Sequence, residues 1–294
     1  MSAVACLIAD PEREPLDRKL VDETARLLRG AAPWLADDEA AEIFAPHLQP
    51  ADAAAPLSNL VHGLLLDHAV LPAANRRKRL LLCDMDSTII EIECIDELAD
   101  FAGIKPQIAE VTRRAMNGEI VFEEALRARV ELLAGLPETV VERVITERLR
   151  LTRGAKALVA TMRAHGARTA LVSGGFMPFT RRVQELCGFD DQEANELAIT
   201  EGRIIGKIAG RVFGPTGKLD TLRRLRVELG LDASATLAVG DGANDLPMIE
   251  AAGLGVAFHP HARLRDHADA CIDHGDLTAV LFLQGYRRDE FVIG

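Results

Sequence analysis

Residues 79–83, RLLLC, form an apolar run that ends directly in the sequence Asp84-Met85-Asp86-Ser87-Thr88. A run without polar alternation is typical of a strand that is buried on both faces in a parallel sheet. In such sheets ligands bind beyond the carboxyl ends of the strands. We therefore predict an α/β fold whose first core strand ends at Asp84 and presents two carboxylates at the ligand-binding edge.

The sequence after residue 150 alternates between helical and strand patterns. Helical spacing covers residues 157–166, 177–188, 217–230 and 244–253, and strand patterns cover residues 167–175, 235–242, 255–258 and 270–272, with a strand pair at 196–209. This order implies right-handed crossovers and a Rossmann-like parallel sheet. Three strand ends carry polar clusters, DMDST, SGG and GDGAND, and we expect them to converge on one site.

Two further segments lie outside this core. Residues 89–150 carry helical patterns separated by glycine and proline, which predicts a helical cap inserted after the first core strand. Residues 1–75 show a strand pattern at 3–9 and a helical pattern at 16–28, followed by an alanine- and proline-rich linker at 46–75. The predicted division is a small α/β extension at 1–75, a core at 76–88 and 151–294, and a cap at 89–150. The basic run at 76–79 is expected to be a solvated linker.

Composition narrows the class of partners. Forty-five acidic against thirty-four basic residues give a net charge of −11, which argues against a nucleic-acid partner. The five scattered cysteines include no CxxC pair, so a reducing cytoplasm fits better than a disulfide framework or a zinc site. The first residues lack the basic segment of a signal peptide, and no apolar run reaches membrane-spanning length. We predict a cytoplasmic protein without membrane contact and leave a homodimer open.

Carboxylates at two predicted strand ends suit a magnesium ion. Mg²⁺ prefers a few carboxylate oxygens together with water and phosphate, and Asp84 and Asp241 are the natural pair. With the metal offsetting the charge of a phosphate, an attacking carboxylate could form an aspartyl-phosphate. Asp86 is placed to protonate the leaving oxygen and later to deprotonate the attacking water.

Further polar groups are expected at the same edge of the sheet. The hydroxyl and backbone N–H groups of Ser173-Gly174-Gly175 lie between a strand and a helix, where they can face a phosphate. Lys218, at a predicted helix start, is expected to neutralise phosphate charge, with Lys207 as its rival. Asn244 and Asp245 open the helix after GDGA and can cap it or orient the lysine and metal-bound water.

In this order the motifs DMDST, VSGG, a lysine and VGDGAND resemble those of the haloacid dehalogenase superfamily. The stretches IECIDELAD, TRRAMNGEIVFEEALRARVELLAGL, LVSGGF and AVGDGANDLPM are similar to its phosphoserine phosphatase family, and the resemblance covers about residues 78–283. It implies Mg²⁺-dependent hydrolysis of O-phospho-L-serine to serine and phosphate, the last step of serine biosynthesis. Bacterial relatives often carry an ACT-like module at the N-terminus that binds amino acids. In residues 1–75 of this sequence, one strand–helix unit of such a module is recognisable.

The resemblance also implies roles for individual residues. Asp84 is the nucleophile, Asp86 is the acid/base, and Asp84, Asp241 and the backbone carbonyl of Asp86 bind the metal. Phosphate is assigned to Ser173, Gly174 and Lys218. Contacts with the amino acid are assigned to Glu93, Met116, Phe122 and Arg129 of the cap and to Asn244 of the core, with Asp245 behind them.

The cap residues suit a zwitterionic substrate. An ammonium needs an anion and a carboxylate needs a bidentate cation, which Glu93 and Arg129 can supply. Met116 and Phe122 could close over the substrate and exclude water. The alternative role for Arg129 is an ion pair with a neighbouring glutamate of the same helix. A lid hinged near residues 88 and 151 would admit the substrate.

Other functions within and outside the superfamily stay open at this stage. Asp86 favours hydrolysis over the ATPase type, and Lys105 is the one cap lysine that a phosphonatase could use. Phosphohomoserine or phosphothreonine is the runner-up substrate, because a methyl or methylene is worth only about 1–3 kcal/mol in a pocket. The alternative from a different class of protein is a non-catalytic amino-acid sensor. The complete set of catalytic residue types argues against it.

Overall fold

The computed structural model describes residues 2–116 and 119–293, with the backbone but not the side chain of Met116. The first 75 residues hold six elements: β1 (Ala3–Ala9), α1 (Arg18–Leu28), β2 (Trp34–Ala36), β3 (Ala40–Ala45), α2 (Pro50–Leu60) and β4 (Leu66–Pro72). Their sheet has the order β2-β3-β1-β4, and every neighbouring pair is antiparallel. This order of elements is the ferredoxin-like βαββαβ topology.

The predicted linker at residues 46–75 is wrong, because α2 and β4 occupy it. Pro50 lies in the first turn of α2, where its missing N–H leaves no helical bond unmade. Ala53 and Leu57 are the buried residues of that helix, so its packing depends on one narrow face. Because alanine has a low propensity for strands, the sequence pattern did not predict β2 and β3.

The main sheet has seven strands in the order β11-β10-β9-β5-β6-β7-β8. They are β5 (Leu80–Cys83), β6 (Arg168–Phe176), β7 (Asp191–Thr200), β8 (Arg203–Ala209), β9 (Thr236–Gly240), β10 (Gly255–Phe258) and β11 (Ala270–Ile272). Neighbours from β11 to β7 are parallel, and β8 pairs antiparallel with β7 at the edge. All four residues of β5 are buried at the centre of the sheet. The predicted α/β fold with a parallel sheet is confirmed.

In the described part of residues 89–150, four α-helices form the predicted helical insertion: α3 (Cys94–Ala102), α4 (Lys105–Met116), α5 (Phe122–Glu131) and α6 (Thr139–Glu147). The chain enters and leaves this cap side by side, because Ile90 and Leu151 form a bridge. The loop between α5 and α6 is bonded to the β7–β8 hairpin, where the Gly135 N–H donates to the Ile204 carbonyl over 2.8 Å. The cap is therefore attached to the core at two places.

The remaining helices cover the main sheet: α7 (Ala155–Ala164), α8 (Met177–Cys187), α9 (Pro215–Glu228), α10 (Leu246–Ala251), α11 (Ala262–Arg265) and α12 (Ala279–Leu283). β1 joins this layer to the N-terminal sheet. Its alternate residues Val4, Cys6 and Ile8 belong to the same apolar cluster as α12 and the cap. Its other residues, Ala5, Leu7 and Ala9, pack against α1 and α2. The period of two along a strand thus gives β1 two apolar faces.

The basic run at residues 76–79 was expected to be a solvated linker, which is wrong for Arg76 and Lys78, whereas Arg77 and Arg79 are exposed as expected. The guanidinium of Arg76 pairs with Glu42 and donates to the Leu283 carbonyl over 3.1 Å. The ammonium of Lys78 is buried and donates to the carbonyls of Asn75 and Ser234 over 2.7 and 2.8 Å. Arg76 thus links the N-terminal sheet to α12, and Lys78 satisfies carbonyl oxygens in the loops before β5 and β9.

Candidate active site

The turn after β5 fixes the first pair of carboxylates. Asp84 is buried, and one of its oxygens accepts from the Met85 N–H over 2.6 Å. The backbone is extended at Asp86 and left-handed at Ser87, with φ of −64° and 54°. Thr88 closes the turn by donating its hydroxyl to an Asp241 carboxylate oxygen over 3.2 Å. The ends of β5 and β9 are therefore joined through side chains at the carboxyl edge of the sheet.

Lys218 lies between two of the aspartates. Its ammonium is 2.7 Å from one carboxylate oxygen of Asp84 and 2.7 Å from one of Asp245, and all three side chains are buried. Burial would lower the pKa of Lys218, but the carboxylates of Asp245 and Asp84 outweigh it and raise that pKa. The rival Lys207 is exposed on the edge strand β8. The Asn244 amide donates to the other oxygen of Asp84 over 3.3 Å.

Carboxylates of Asp84, Asp241 and Asp245 approach one another within 4.8 Å. Burial raises the pKa of Asp241 to about 8 and that of Asp245 to about 7, and repulsion from Asp84 adds to both shifts. Crowded acidic oxygens of this kind fit a hard divalent cation, which would remove the repulsion. Asp86 was predicted to bind metal through its backbone carbonyl, and that contact stays a prediction, because the cluster in the described residues consists of side-chain carboxylates, with Asp245 as its third member.

Asp86 faces the start of the cap and the end of β6. Its carboxylate accepts from the Cys94 N–H over 2.9 Å and from the Ser173 hydroxyl over 3.3 Å. Burial, together with repulsion from Asp84, raises the pKa of Asp86 to about 6. The Ser173 hydroxyl in turn accepts from the Gly175 N–H over 2.8 Å. The structure thus brings the predicted acid/base and the predicted phosphate loop into contact.

The ring of Phe122 lies over the predicted phosphate loop. A Cβ atom at Gly174 would be 2.9 Å from this ring, and one at Gly214 would be 2.7 Å from it, so a side chain at either position would displace the ring from its place. Phe122 opens α5, and its ring therefore brings the cap directly onto the core. The side chain of Met116, the other predicted apolar contact, lies outside the described residues.

Glu93 and Arg129 lie on the cap close to the catalytic turn. The Ser87 hydroxyl donates to a Glu93 carboxylate oxygen over 2.7 Å. Arg129 is partly buried and donates to the Ala125 carbonyl over 3.4 Å. Burial lowers the pKa of Arg129, while the nearby Glu93 carboxylate acts in the opposite direction. Within the described part of the chain, Arg129 forms no ion pair with a glutamate of its own helix, which was the alternative reading.

The comparisons with known proteins agree with this geometry. Residues 78–253 match the model of the haloacid dehalogenase-like hydrolases. The chain belongs to this family. A phosphoserine phosphatase of Streptomyces coelicolor is 44% identical over 230 residues, which are 78% of this chain and 56% of that protein. This hydrolase therefore spans less than two thirds of the length of that relative.

Two solved structures resemble the hydrolase. A probable phosphoserine phosphatase of Vibrio cholerae in its unliganded form has a TM-score of 0.77 at 31% identity and covers 98% of this chain and 88% of that one. A phospho-aspartyl intermediate analogue of phosphoserine phosphatase has a TM-score of 0.66 at 38% identity and covers 70% of this chain and 98% of that one. The first likeness extends over the N-terminal sheet, because its coverage is nearly complete.

Sequence reasoning missed two residues that hold the hydrolase's site together. Asn195 is buried, its amide donates to the Gly174 and Phe213 carbonyls over 2.9 and 2.8 Å, and its oxygen accepts from the Phe213 N–H. No local motif marks this asparagine, so its role depends on tertiary structure. Thr88 was visible within the DMDST motif, but its bond to Asp241 was not.

Proposed function

We propose that this hydrolase removes phosphate from O-phospho-L-serine, with Asp84 as the nucleophile. The observation that carries the proposal is the position of Asp84 within the acidic cluster, beside a cap that presents Glu93 and Arg129. The similarity to proteins named phosphoserine phosphatase supports it.

In the proposed reaction an oxygen of Asp84 bonds to phosphorus as the serine oxygen leaves. Lys218 and Asn244 hold the two oxygens of Asp84, which fixes its direction of attack. Asp86 gives its proton to the departing serine oxygen. Water then attacks the phosphorus of the aspartyl-phosphate and passes a proton to Asp86, which releases phosphate and restores the Asp84 carboxylate and the protonated Asp86.

Asp84, Asp241 and Asp245 would hold a divalent cation, for which we propose Mg²⁺ because all the donors are hard oxygens. When bound, the cation would offset the charge on the phosphate and permit a carboxylate to approach it. Ser173 and the backbone of Gly174 would bind phosphate oxygens beside Lys218.

The cap would select the amino acid. We propose that Glu93 accepts the ammonium and Arg129 the carboxylate of the substrate, with Asn244 as a further contact. The ring of Phe122 would close over the bound phosphate, since it already lies against Gly174. An opposite pair of charges of this kind matches a zwitterion and has no counterpart in an aryl phosphate.

We also propose how the chain is divided into domains and where in the cell the protein is located. We assign residues 76–88 and 151–294 to catalysis and 89–150 to the cap. The βαββαβ topology supports an ACT-like extension at 1–75. The five free cysteines support a cytoplasmic location, which we propose. The helices in the described ranges do not combine the length and the apolar character that a membrane span requires.

A phosphate-release assay tests the proposed function. With Mg²⁺ present, phosphoserine is expected to give the highest kcat/KM in a panel with phosphothreonine, phosphohomoserine and 4-nitrophenyl phosphate. Chelation of divalent cations should abolish release, and Asp84→Asn should lower kcat at least about 10⁴-fold, because the nucleophile is lost. Strong turnover by Asp84→Asn would refute the nucleophile, and equal kcat/KM on all four compounds would refute the role of the cap.

A further inference from the structure

Ser87 occupies a backbone conformation that disfavours a side chain. Its φ is 54°, in the left-handed region where Cβ crowds the following carbonyl. The residue lies in the turn that carries Asp84 and Asp86, and its N–H donates to the Ile92 carbonyl over 3.3 Å. Glycine would make the same backbone bond without strain. The hydroxyl is therefore what this serine offers that a glycine at the same position would not.

The Ser87 hydroxyl has a single side-chain partner in the described structure. It donates to a Glu93 carboxylate oxygen over 2.7 Å. Glu93 immediately precedes α3, and no ion pair within the described ranges holds its carboxylate. A glutamate has three side-chain torsions and would otherwise sample several rotamers. The contact with Ser87 ties it to the rigid turn after β5.

We propose that Ser87 is a positioning residue that holds the Glu93 carboxylate in place to receive the substrate ammonium. This inference rests on the proposed function, because it takes Glu93 as the ammonium receptor. The strain at Ser87 is stored in the folded protein and is offset by the hydrogen bond from its hydroxyl to Glu93, across the boundary between core and cap. Substrate binding then requires less ordering of the Glu93 side chain, which improves affinity for an amino acid.

The test is the variant Ser87→Gly, which removes the hydroxyl and relieves the strain. We expect Tm to stay equal or rise, KM for phosphoserine to rise about tenfold, and kcat to change less than about twofold. The ratio of kcat/KM for phosphoserine to that for 4-nitrophenyl phosphate should fall by a similar factor. A second variant, Ser87→Ala, removes the hydroxyl but keeps a Cβ atom in the left-handed region, so it should show the same shift in KM without the relief of strain.

Two controls separate positioning from a general effect on the fold. Arg29→Gly relieves a similar strain, at φ of 51°, on the exposed end of α1 and should leave KM unchanged. In a double-mutant cycle, Ser87→Gly should add little to the loss caused by Glu93→Ala, because both act through one carboxylate. An unchanged KM in both Ser87 variants, or fully additive losses, would overturn the inference. Absence of phosphoserine turnover in the unaltered protein would overturn the proposed function itself.

Discussion

The guanidinium of Arg129 is partly buried in the cap, and in the described structure its one recorded hydrogen bond goes to a backbone carbonyl. Removing a cation from water without giving it a carboxylate partner lowers the stability of the folded protein. A ligand carboxylate would offset that cost at the moment of binding. The side chain is therefore suited to substrate recognition more than to stabilising α5.

At this site we predict that Arg129→Ala lowers the ratio of kcat/KM for phosphoserine to that for 4-nitrophenyl phosphate by at least about 100-fold, because a bidentate contact is lost. Tm should change little, since no ion pair is broken. Arg127→Ala, on the same helix, removes an exposed pair with Glu123 and is the matched control. Steady-state kinetics on both substrates decide the question. An unchanged ratio in Arg129→Ala would remove the residue from the substrate site.

Short motifs made the catalytic residues predictable one by one. Asp84, Asp241 and Lys218 were identified because each follows a strand or opens a helix at the same edge of the sheet. A contact between Asp245 and Lys218 was one of the roles offered for Asp245 from the sequence, but the second contact of Lys218, with Asp84, was not predicted, because a sequence does not reveal which buried charges meet. The place of Asp245 in the acidic cluster was missed for the same reason.

At the scale of elements, Asn195 links β6 to the loop before α9. Its three hydrogen bonds join Gly174, in the predicted phosphate loop, to Phe213. We predict that Asn195→Ala lowers the free energy of unfolding by about 2–3 kcal/mol, because buried backbone groups lose their partners. KM should also rise, since the phosphate loop loosens. Urea unfolding and kinetics provide the measurements, with Asn59→Ala on the exposed face of α2 as the control.

For Asn59→Ala the expected change in unfolding free energy is under about 0.5 kcal/mol, as for most exposed positions. Equal losses in the two asparagine variants would contradict the linking role of Asn195.

The strands of the main sheet were predictable because burial on both faces leaves continuous apolar runs such as that of β5. The helical insertion was predictable from its spacing and its glycine breaks. Elements of the N-terminal sheet were missed where alanine and proline dominate, as in α2, or where a strand has only three residues, as in β2. Tertiary packing decides the structure of such segments, and their local propensity is weak.

The whole molecule is held together by an apolar cluster that extends from β1 into the main core. Arg76 lies at this junction, with only 11% of its side chain exposed, and contacts Glu42 of β3 and the Phe282 and Leu283 carbonyls of α12. The basic run at residues 76–79 was expected to be solvated, because a sequence alone does not show which cations are hydrogen-bonded to carbonyl oxygens. The N-terminal sheet is therefore expected to unfold together with the core.

We predict that Arg76→Met lowers the free energy of unfolding by about 3 kcal/mol, because the Glu42 carboxylate, itself largely buried, loses its cation while the two carbonyls lose a donor. The apolar stem of the side chain is retained, so the change reports on the charge and the hydrogen bonds. Arg182→Ala on α8 removes an exposed pair with Glu185 and should cost under about 1 kcal/mol. Calorimetry should show one transition in the unaltered protein. If Arg76→Met were no less stable than Arg182→Ala, the cation would not stabilise the junction between the two sheets.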